Sequence, residues 1–484
     1  MAVPFNRRFR LRALALVFFL ALAGCASVGP DYAPPEVKAP ERWNAATEGG
    51  LATEGVDTEG LSSWWTTLED PVLTELVELA IKNNLDLREA RARVREARAR
   101  RGVAGAELLP TIDATGSASL SRSSENAGSG ESRELYAAGF DARWELDIFG
   151  GIRRSVEAAE AELEASEEGF RDTLVTLLSE VALNYVDARL FQARLSVARA
   201  NLETQEETYG IAEARYLSGL AGKLDEDLAR LNLESTRASI PALETGLEQA
   251  KNRLALLLGQ NPGYLRDRLS GPGPIPATPV ELAVGIPAET LRRRPDVRRA
   301  ERELAAQTAR VGAATAELYP EFNLPGSIGL ESLSARDLFS ADSVAYSILP
   351  SVRWNIFDRS RIRGNIEVHS ALQEQALARY EAAVLAALED VENALVAFSK
   401  EQERRSSLKE ASLAASSAAE LSNDLYASGL TDFLDVLDAE RSLLSLQDQL
   451  AVSEAEVTSN LLRLYKALGG GWTPPQTPIE RKKE

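Results

Sequence analysis

Two periodicities divide the chain. In four stretches apolar residues alternate with polar or small ones. Ile112, Ala114, Gly116, Ala118 and Leu120 are interleaved with Thr111, Asp113, Thr115, Ser117, Ser119 and Ser121. After a Ser/Gly/Asn-rich loop to about Ser132, the residues Ala138, Phe140, Ala142, Trp144, Leu146 and Ile148 alternate with Gly139, Asp141, Arg143, Glu145 and Asp147. The third stretch sets Phe322, Leu324, Gly326, Ile328 and Leu330 on one face. The fourth sets Tyr346, Ile348, Pro350, Val352, Trp354 and Ile356 on one face and Arg353 on the other. A period of two predicts strands, here two hairpins over about 110–149 and 320–357, each with an apolar and a polar face.

Elsewhere the period is helical. Asp70 as cap and Pro71 in the first turn open a helix running to about Leu108. Long helices come after each hairpin, over about 153–217 with a return over 224–258, and over about 361–427 with a return over 432–468. Leu174, Val181, Ala188, Leu195 and Leu202 recur at seven-residue steps, as do Leu377, Val384, Val391 and Phe398. Such heptads predict a coiled-coil seam. At 1.5 Å per residue, a helix of this length reaches roughly 95–100 Å. Gly219 with Leu220, and Gly429 with Leu430, mark the turns where the long helices fold back.

The two sets of elements are copies, offset by 210 residues. Asp86-Leu-Arg88 recurs as Asp296-Val-Arg298, Trp144 as Trp354, and Tyr216-Leu-Ser-Gly219-Leu220 as Tyr426-Ala-Ser-Gly429-Leu430. Between 86–110 and 296–320, 11 of 25 positions are identical without a gap. A period this long is a duplicated half-protein. The expected order is therefore a first repeat over 70–268, a linker over 269–286 containing Gly271-Pro-Gly-Pro274, a second repeat over 287–470 and a tail over 471–484.

The front of the chain is different again. Arg7, Arg8, Arg10 and Arg12 precede an apolar run from Leu14 to Leu22, followed by Leu22-Ala-Gly-Cys25. A basic head, a short apolar core and small residues read as an export signal over 1–24. Cys25 is the sole cysteine, so an internal disulfide is excluded, and its setting matches a bacterial lipobox. Lipidation of Cys25 with diacylglycerol and an N-acyl chain gives a durable anchor in membrane lipid, since each buried CH₂ contributes about 0.8 kcal/mol. Residues 25–69 then form a tether rich in Pro, Gly and Glu.

Charge and chemistry narrow the function. The signal carries four Arg and no acid, so the mature chain has a net charge of −19 − 4 = −23. That balance argues against nucleic acid. One histidine, His369, and one lipid-bearing cysteine leave little for a metal or a nucleophile, and no pair among the 73 acids stands out as a dyad. The chain reads as a non-enzyme without a cofactor.

Strand length and polarity favour a transmembrane barrel. About ten residues or more cross a bilayer at a tilt. Asp141, Arg143, Glu145, Asp147 and Arg353 would face a water-filled lumen, and Phe149, Tyr319 and Phe357 would sit at the interface. Four strands cannot close, and an open edge cannot lie in hydrocarbon. Several chains must contribute: two give eight strands, three give twelve.

These features resemble the TolC/OprM-like outer-membrane factors. The resemblance rests on the lipobox, the hairpins after Glu-Leu-(Leu/Tyr)-Pro and the repeated Tyr-x-Ser-Gly-Leu turn. Arg293-Arg-Pro-Asp-Val-Arg-Arg-Ala-Glu-Arg-Glu-Leu304, with Pro30-Asp-Tyr-x-x-Pro35, resembles the NodT-type efflux lipoproteins. The resemblance implies an α+β homotrimer with a twelve-stranded outer-membrane barrel, continued by a periplasmic helical barrel. It implies an exit duct for small molecules, served by a periplasmic adaptor and an inner-membrane RND-type transporter. It also implies a closing tip at residues 425–441, with Leu434 and Asp438 at the constriction and Tyr426 and Arg441 in the network that holds it shut. Leu425 stands where some relatives place Arg, which bears on one salt bridge of that lock. Asp435 lies in the same turn. In the first repeat Arg230 stands where the second has Glu440, so the two helix pairs should differ in gating. An exit for type I protein secretion and a pore-free coiled-coil lipoprotein are the alternatives.

Overall fold

The structure is a computed structural model that describes residues 27–36, 39–45, 51–52, 58–278, 282–285 and 287–473. The export signal and Cys25 lie outside the described residues. The chain divides into two compact units: one from 1–36, 93–167 and 299–381, the other from 37–92, 168–298 and 382–484. No helix among the described residues is long and apolar enough to cross a membrane.

The described residues begin with β1 (Leu51–Ala52), α1 (Thr58–Ser62), α2 (Pro71–Asn83) and α3 (Leu85–Ala106). The sequence predicted one helix from Asp70 to Leu108; the structure breaks it at Asn84. The Asn84 side chain accepts from Leu87 N and donates to Leu257 O, so it caps the second piece and pins it to another helix. At the other end Asp70 accepts from Val72 N and Leu73 N as predicted.

The first unit holds the larger sheets. Strands β2 (Thr111–Arg122) and β3 (Ser132–Arg143) pair antiparallel along their whole length. The strand pattern continues in β4 (Glu145–Leu146). Then come α4 (Gly151–Leu217), α5 (Lys223–Leu257), β5 (Leu282–Ala283), α6 (Pro287–Arg293) and α7 (Pro295–Ala316). The second hairpin is broken. It comprises β6 (Glu321–Asn323), β7 (Gly326–Ser332), β8 (Val344–Ile348) and β9 (Ser351–Arg353). The breaks fall at Leu324-Pro325 and Leu349-Pro350, where proline removes an N–H from the ladder. A four-stranded sheet in the order β2-β3-β7-β8 and a three-stranded sheet β4-β6-β9 result, rather than four uninterrupted strands of ten residues. Leu324 N donates to Trp144 O at 2.7 Å across the break. The duplication is visible in side-chain detail: Trp144 Nε1 donates to Leu108 O at 3.0 Å, and Trp354 Nε1 to Leu318 O at 3.1 Å.

Helices α8 (Arg359–Ala427) and α9 (Phe433–Ala467) complete the chain. The core of the second unit is apolar. Trp64, Leu73, Leu76, Leu178, Val181, Tyr185, Leu254, Leu258, Leu395, Leu461 and Leu464 are all fully or nearly fully buried in one cluster. Several are the predicted heptad positions and their neighbours. Trp64 stacks on Tyr465 with centroids 5.4 Å apart. Burying each such side chain contributes about 1.5–3 kcal/mol. Arg294, the counterpart of Asn84, donates to Ala467 O and pairs with Asp296 and Asp390.

Candidate functional site: a polar sheet face and a helical tip

Register decides what the sheet can do. Cα partners across a ladder share a face. Ala114, Phe140, Ile328 and Tyr346 form one row, and Ile112, Ala142, Gly326 and Ile348 another. The predicted apolar faces of all four strands therefore coincide. Phe140, Ile328, Tyr346 and Ile348 are each more than half exposed in the single chain. The opposite face carries the row Asp113, Asp141, Ser327 and Ser347, with Thr111 beside Arg143. Thr115 Oγ1 donates to Asp141 at 2.9 Å, and the Ser327 and Ser347 hydroxyls meet at 3.0 Å. Gly139 and Gly329 face each other on this polar side. A Cβ on either would lie 2.8 Å from the other's Cα, so the two strands approach too closely there for any larger side chain.

Of the predicted lumen residues, Asp141 and Arg143 lie on this face. Glu145 and Arg353 belong to the smaller sheet, where Arg353 pairs with Glu321 at 2.6 Å. Asp147 is a correction. It comes after the last strand residue, accepts from Ile152 N and Arg153 N, and pairs with the Arg153 guanidinium. It satisfies the free N–H groups at the start of α4. Among the predicted interface aromatics, Phe149 stacks on Tyr319 at 4.6 Å and Phe357 is fully exposed.

The second unit holds the turns. Gly219 and Gly429 have φ of 75° and 74°. Leu220 N returns to Arg215 O and Gly219 N to Tyr216 O; Leu430 N returns to Leu425 O and Gly429 N to Tyr426 O. Both are Schellman closures, in which the glycine takes the left-handed position. Leu220 and Leu430 project outward, each more than two-thirds exposed.

Around the second turn lies a small core of Ala212, Ala229, Tyr426, Phe433, Val436 and Leu437. The Tyr426 ring meets Phe433 edge-on at 5.3 Å. The Arg215 guanidinium lies 4.6 Å from the ring centroid and donates to Tyr426 O at 2.6 Å. The Tyr426 hydroxyl is buried and makes no hydrogen bond of ordinary geometry. Burial, and after it the negative charge of Asp225, raises its pKa. Asn232 Nδ2, Thr208 Oγ1 and Asn423 Nδ2 donate to the buried Glu440 carboxylate at 3.0, 2.8 and 3.3 Å.

The structure separates the predicted tip residues into two groups. Tyr426 is internal. Leu434, Asp438 and Arg441 are exposed on one face of α9, and Asp438 takes no side-chain partner among the described residues. Among the described residues, the Arg441 side chain reaches Asn232 at 3.4 Å, and Asn232 in turn donates to Glu440. Asp435 is bonded to Thr431 within the turn. The residues that sequence reasoning missed are Arg215, Thr208 and Asn232. The repeat offset contained the signal, because Arg215 is the counterpart of Leu425. The arginine absent before Tyr426 is supplied from the other repeat.

The Outer membrane efflux protein family model matches residues 76–260 and 286–470, the two repeats. The chain belongs to this family. It is 33% identical over 467 residues to Nodulation protein T of Rhizobium leguminosarum bv. trifolii, covering 94% of this chain and 97% of that protein. It is 30% identical over 452 residues to the cation efflux system protein CusC of Escherichia coli strain K12, covering 93% and 97%. Among solved structures, the outer-membrane channel OprN superposes with a TM-score of 0.88 at 38% identity, over 92% of this chain and all of that one. The protein is thus an outer-membrane efflux channel, α+β in fold, with a periplasmic extension.

Proposed function

We propose that three copies close one twelve-stranded barrel that serves as the passive exit duct of a small-molecule efflux pump. The observation that carries this reading is the register of the sheet. Apolar rows run across all four strands, the opposite face carries a polar row, and the sheet ends in β2 on one side and β8 on the other. An open edge in hydrocarbon leaves backbone groups unpaired, at several kcal/mol each. Joining β2 of one copy to β8 of the next removes both edges of the four-stranded sheet. The apolar face then meets lipid, and Asp141, Arg143, Glu145 and Arg353 line water. Cys25 bears the lipid anchor that holds the chain in the same membrane.

Energy comes from an inner-membrane RND-type transporter, joined through a periplasmic adaptor. The exposed Leu220 and Leu430 at the two turns offer that adaptor an apolar contact. Small cargo is supported by the cation efflux relative, whose name specifies no protein substrate. The gate is the second helical tip: Leu434 and Asp438 line it, and Tyr426, Arg215 and Glu440 hold it closed from within. Threefold symmetry brings three Asp438 carboxylates together, a ring that favours cations.

Planar-bilayer recording tests the reading. The purified protein should give discrete, cation-selective channels of low open probability. A preparation that is monomeric by mass and shows no conductance contradicts it. Replacing Cys25 with Ser should abolish labelling by a palmitate analogue, and label persisting in C25S would overturn the anchor.

A further inference from the structure

Each repeat passes from strand to long helix through a short junction, and the two junctions can be matched residue by residue. At the 210-residue offset Trp144 matches Trp354 before the junction, and Ile152 matches Ile362 after it. The two indoles make equivalent bonds, and both isoleucines are buried. Between and beside these fixed points the side chains are exchanged. Asp147 stands against Phe357, Phe149 against Arg359 and Arg154 against Gly364, while Arg153 is kept as Arg363.

The first junction closes on itself. Asp147 pairs with Arg153 at 3.1 Å, and Phe149 stacks on Tyr319. Arg154 is buried and holds the N-terminal tether: it donates to Val28 O at 3.1 Å and pairs with Asp31 at 2.6 Å. Val28 N donates in turn to Phe149 O at 3.0 Å. Cys25 stands three residues before Val28, a reach of at most about 11 Å, so its lipid belongs beside this junction.

The second junction is open. Phe357, in place of the carboxylate, is 100% exposed. Arg359 and Arg363 are exposed, and their side chains take no partner among the described residues; Asp358 and Glu317 are engaged by Arg361. Where Arg154 holds the tether in the first repeat, a Cβ on Gly364 would meet nothing within 4 Å. Residues four apart share a helix face, so the two arginines repel each other, and both oppose the dipole at the start of α8. No carboxylate among the described residues offsets that cost. Val352, Trp354 and Ile356, each more than half exposed, carry the apolar face of the sheet down to Phe357.

We infer that Arg359, Arg363 and Phe357 bind the headgroup of a net-anionic phospholipid of the phosphatidylglycerol type, in the membrane that receives the Cys25 anchor. The guanidiniums pair with the phosphodiester oxygens. Phe357 and Trp354 sit at the level where headgroup meets acyl chain. A zwitterionic headgroup brings its own cation, so the site selects by net charge. The inference rests on the barrel reading above, because only then does the apolar face meet lipid. The exchange between repeats then has a purpose: one junction holds the chain's own lipid tether, and the other takes a free lipid.

Native mass measurement of detergent-extracted full-length protein, titrated with phosphatidylglycerol, tests the site. Wild type should take up one phosphatidylglycerol per chain before weaker additions, and should bind phosphatidylcholine less tightly. R359A with R363A should weaken phosphatidylglycerol binding about tenfold or more. F357D, which supplies the carboxylate of the first junction, should weaken it too by neutralising Arg363. R336A, at an exposed arginine in the loop between β7 and β8, should change nothing, and inorganic phosphate at equal concentration should not compete. Equal binding by wild type and the double arginine variant, or no preference over phosphatidylcholine, overturns the site. Competition by inorganic phosphate overturns its assignment to lipid. A double variant that loses its association state but keeps its lipid places the arginines against a neighbouring copy, which also overturns it. A wild type that forms no channels in bilayers overturns the barrel reading instead.

Discussion

At the first helical turn Tyr216 is over a third exposed, with Lys223 5.2 Å from its ring centroid, and Lys223 pairs with Glu226 and Asp227 one turn along. At the second, Tyr426 is 2% exposed, edge-on to Phe433 and covered by Arg215. The backbone closures are the same at both. The first turn is held by local ion pairs of the exposed Lys223, which solvent screens. The second is held by residues of the other repeat. The asymmetry arises from three substitutions at equivalent positions: Arg215 against Leu425, Lys223 against Phe433 and Arg230 against Glu440. Duplication produced two equal hairpins, and these changes made one of them depend on the other. A hairpin secured by long-range contacts can be released as a unit, which is what a gate requires.

Equivalent substitutions at the two turns should break this comparison unequally. Tyr426→Ala removes a buried aromatic and should destabilise the second tip by about 3–5 kcal/mol. Tyr216→Ala, at a largely exposed ring, should cost no more than about 0.5 kcal/mol. Hydrogen exchange at residues 426–440 and 216–230 reads the difference directly. Comparable in size, Glu440→Ala strips buried Thr208 and Asn232 and half-buried Asn423 of their acceptor, at about 1–3 kcal/mol for each of the two buried groups. Arg230→Ala, at the exposed counterpart, should change exchange by less than about 0.5 kcal/mol. Arg215→Ala should cost about 1–2 kcal/mol through the lost ring contact and hydrogen bond. Arg441→Ala should cost less, because among the described residues its side chain reaches Asn232 alone, at 3.4 Å. The smallest effect on stability belongs to Asp438→Ala, which has no partner to lose among the described residues; its effect should appear as reduced cation preference in bilayer recordings.

Much of the fold was legible because periodicity is a local property. The alternation at 112–120 and 138–148 placed Ile112 and Phe140 on the apolar face, and the ladder aligns them as expected. The heptads at Leu174 to Leu202 pointed to the buried stripe of α4. The Trp144 and Trp354 repeat anticipated two equal indole bonds. What escaped was set by single residues with competing demands. Pro325 and Pro350 fit the alternating pattern yet cannot donate to a ladder, so they split the second hairpin. Asn84 reads as an ordinary helix residue, but its side chain caps the start of α3. Asp147 continues the polar face in sequence, while the nearby N-terminus of α4 offers it unpaired N–H groups. At the tip, Tyr426 was identified but its neighbour Arg215 was not. Arg215 lies 211 positions away in the chain, and only the offset between repeats connects the two.

Residues of the first repeat are proposed to hold the second tip shut, and one recording tests this most directly. Wild type, Arg215→Ala with Glu440→Gln, and Lys223→Ala with Arg230→Ala are compared as isolated channels in planar bilayers at one salt concentration. In the proposed trimer, release of the inner contacts at three symmetric sites multiplies any change threefold. A loss of about 1 kcal/mol at each site therefore shifts the closed–open equilibrium by more than a hundredfold. The account predicts a large rise in open probability for the first double variant and none for the second. Equal behaviour of both variants, or a rise only in the second, would contradict it.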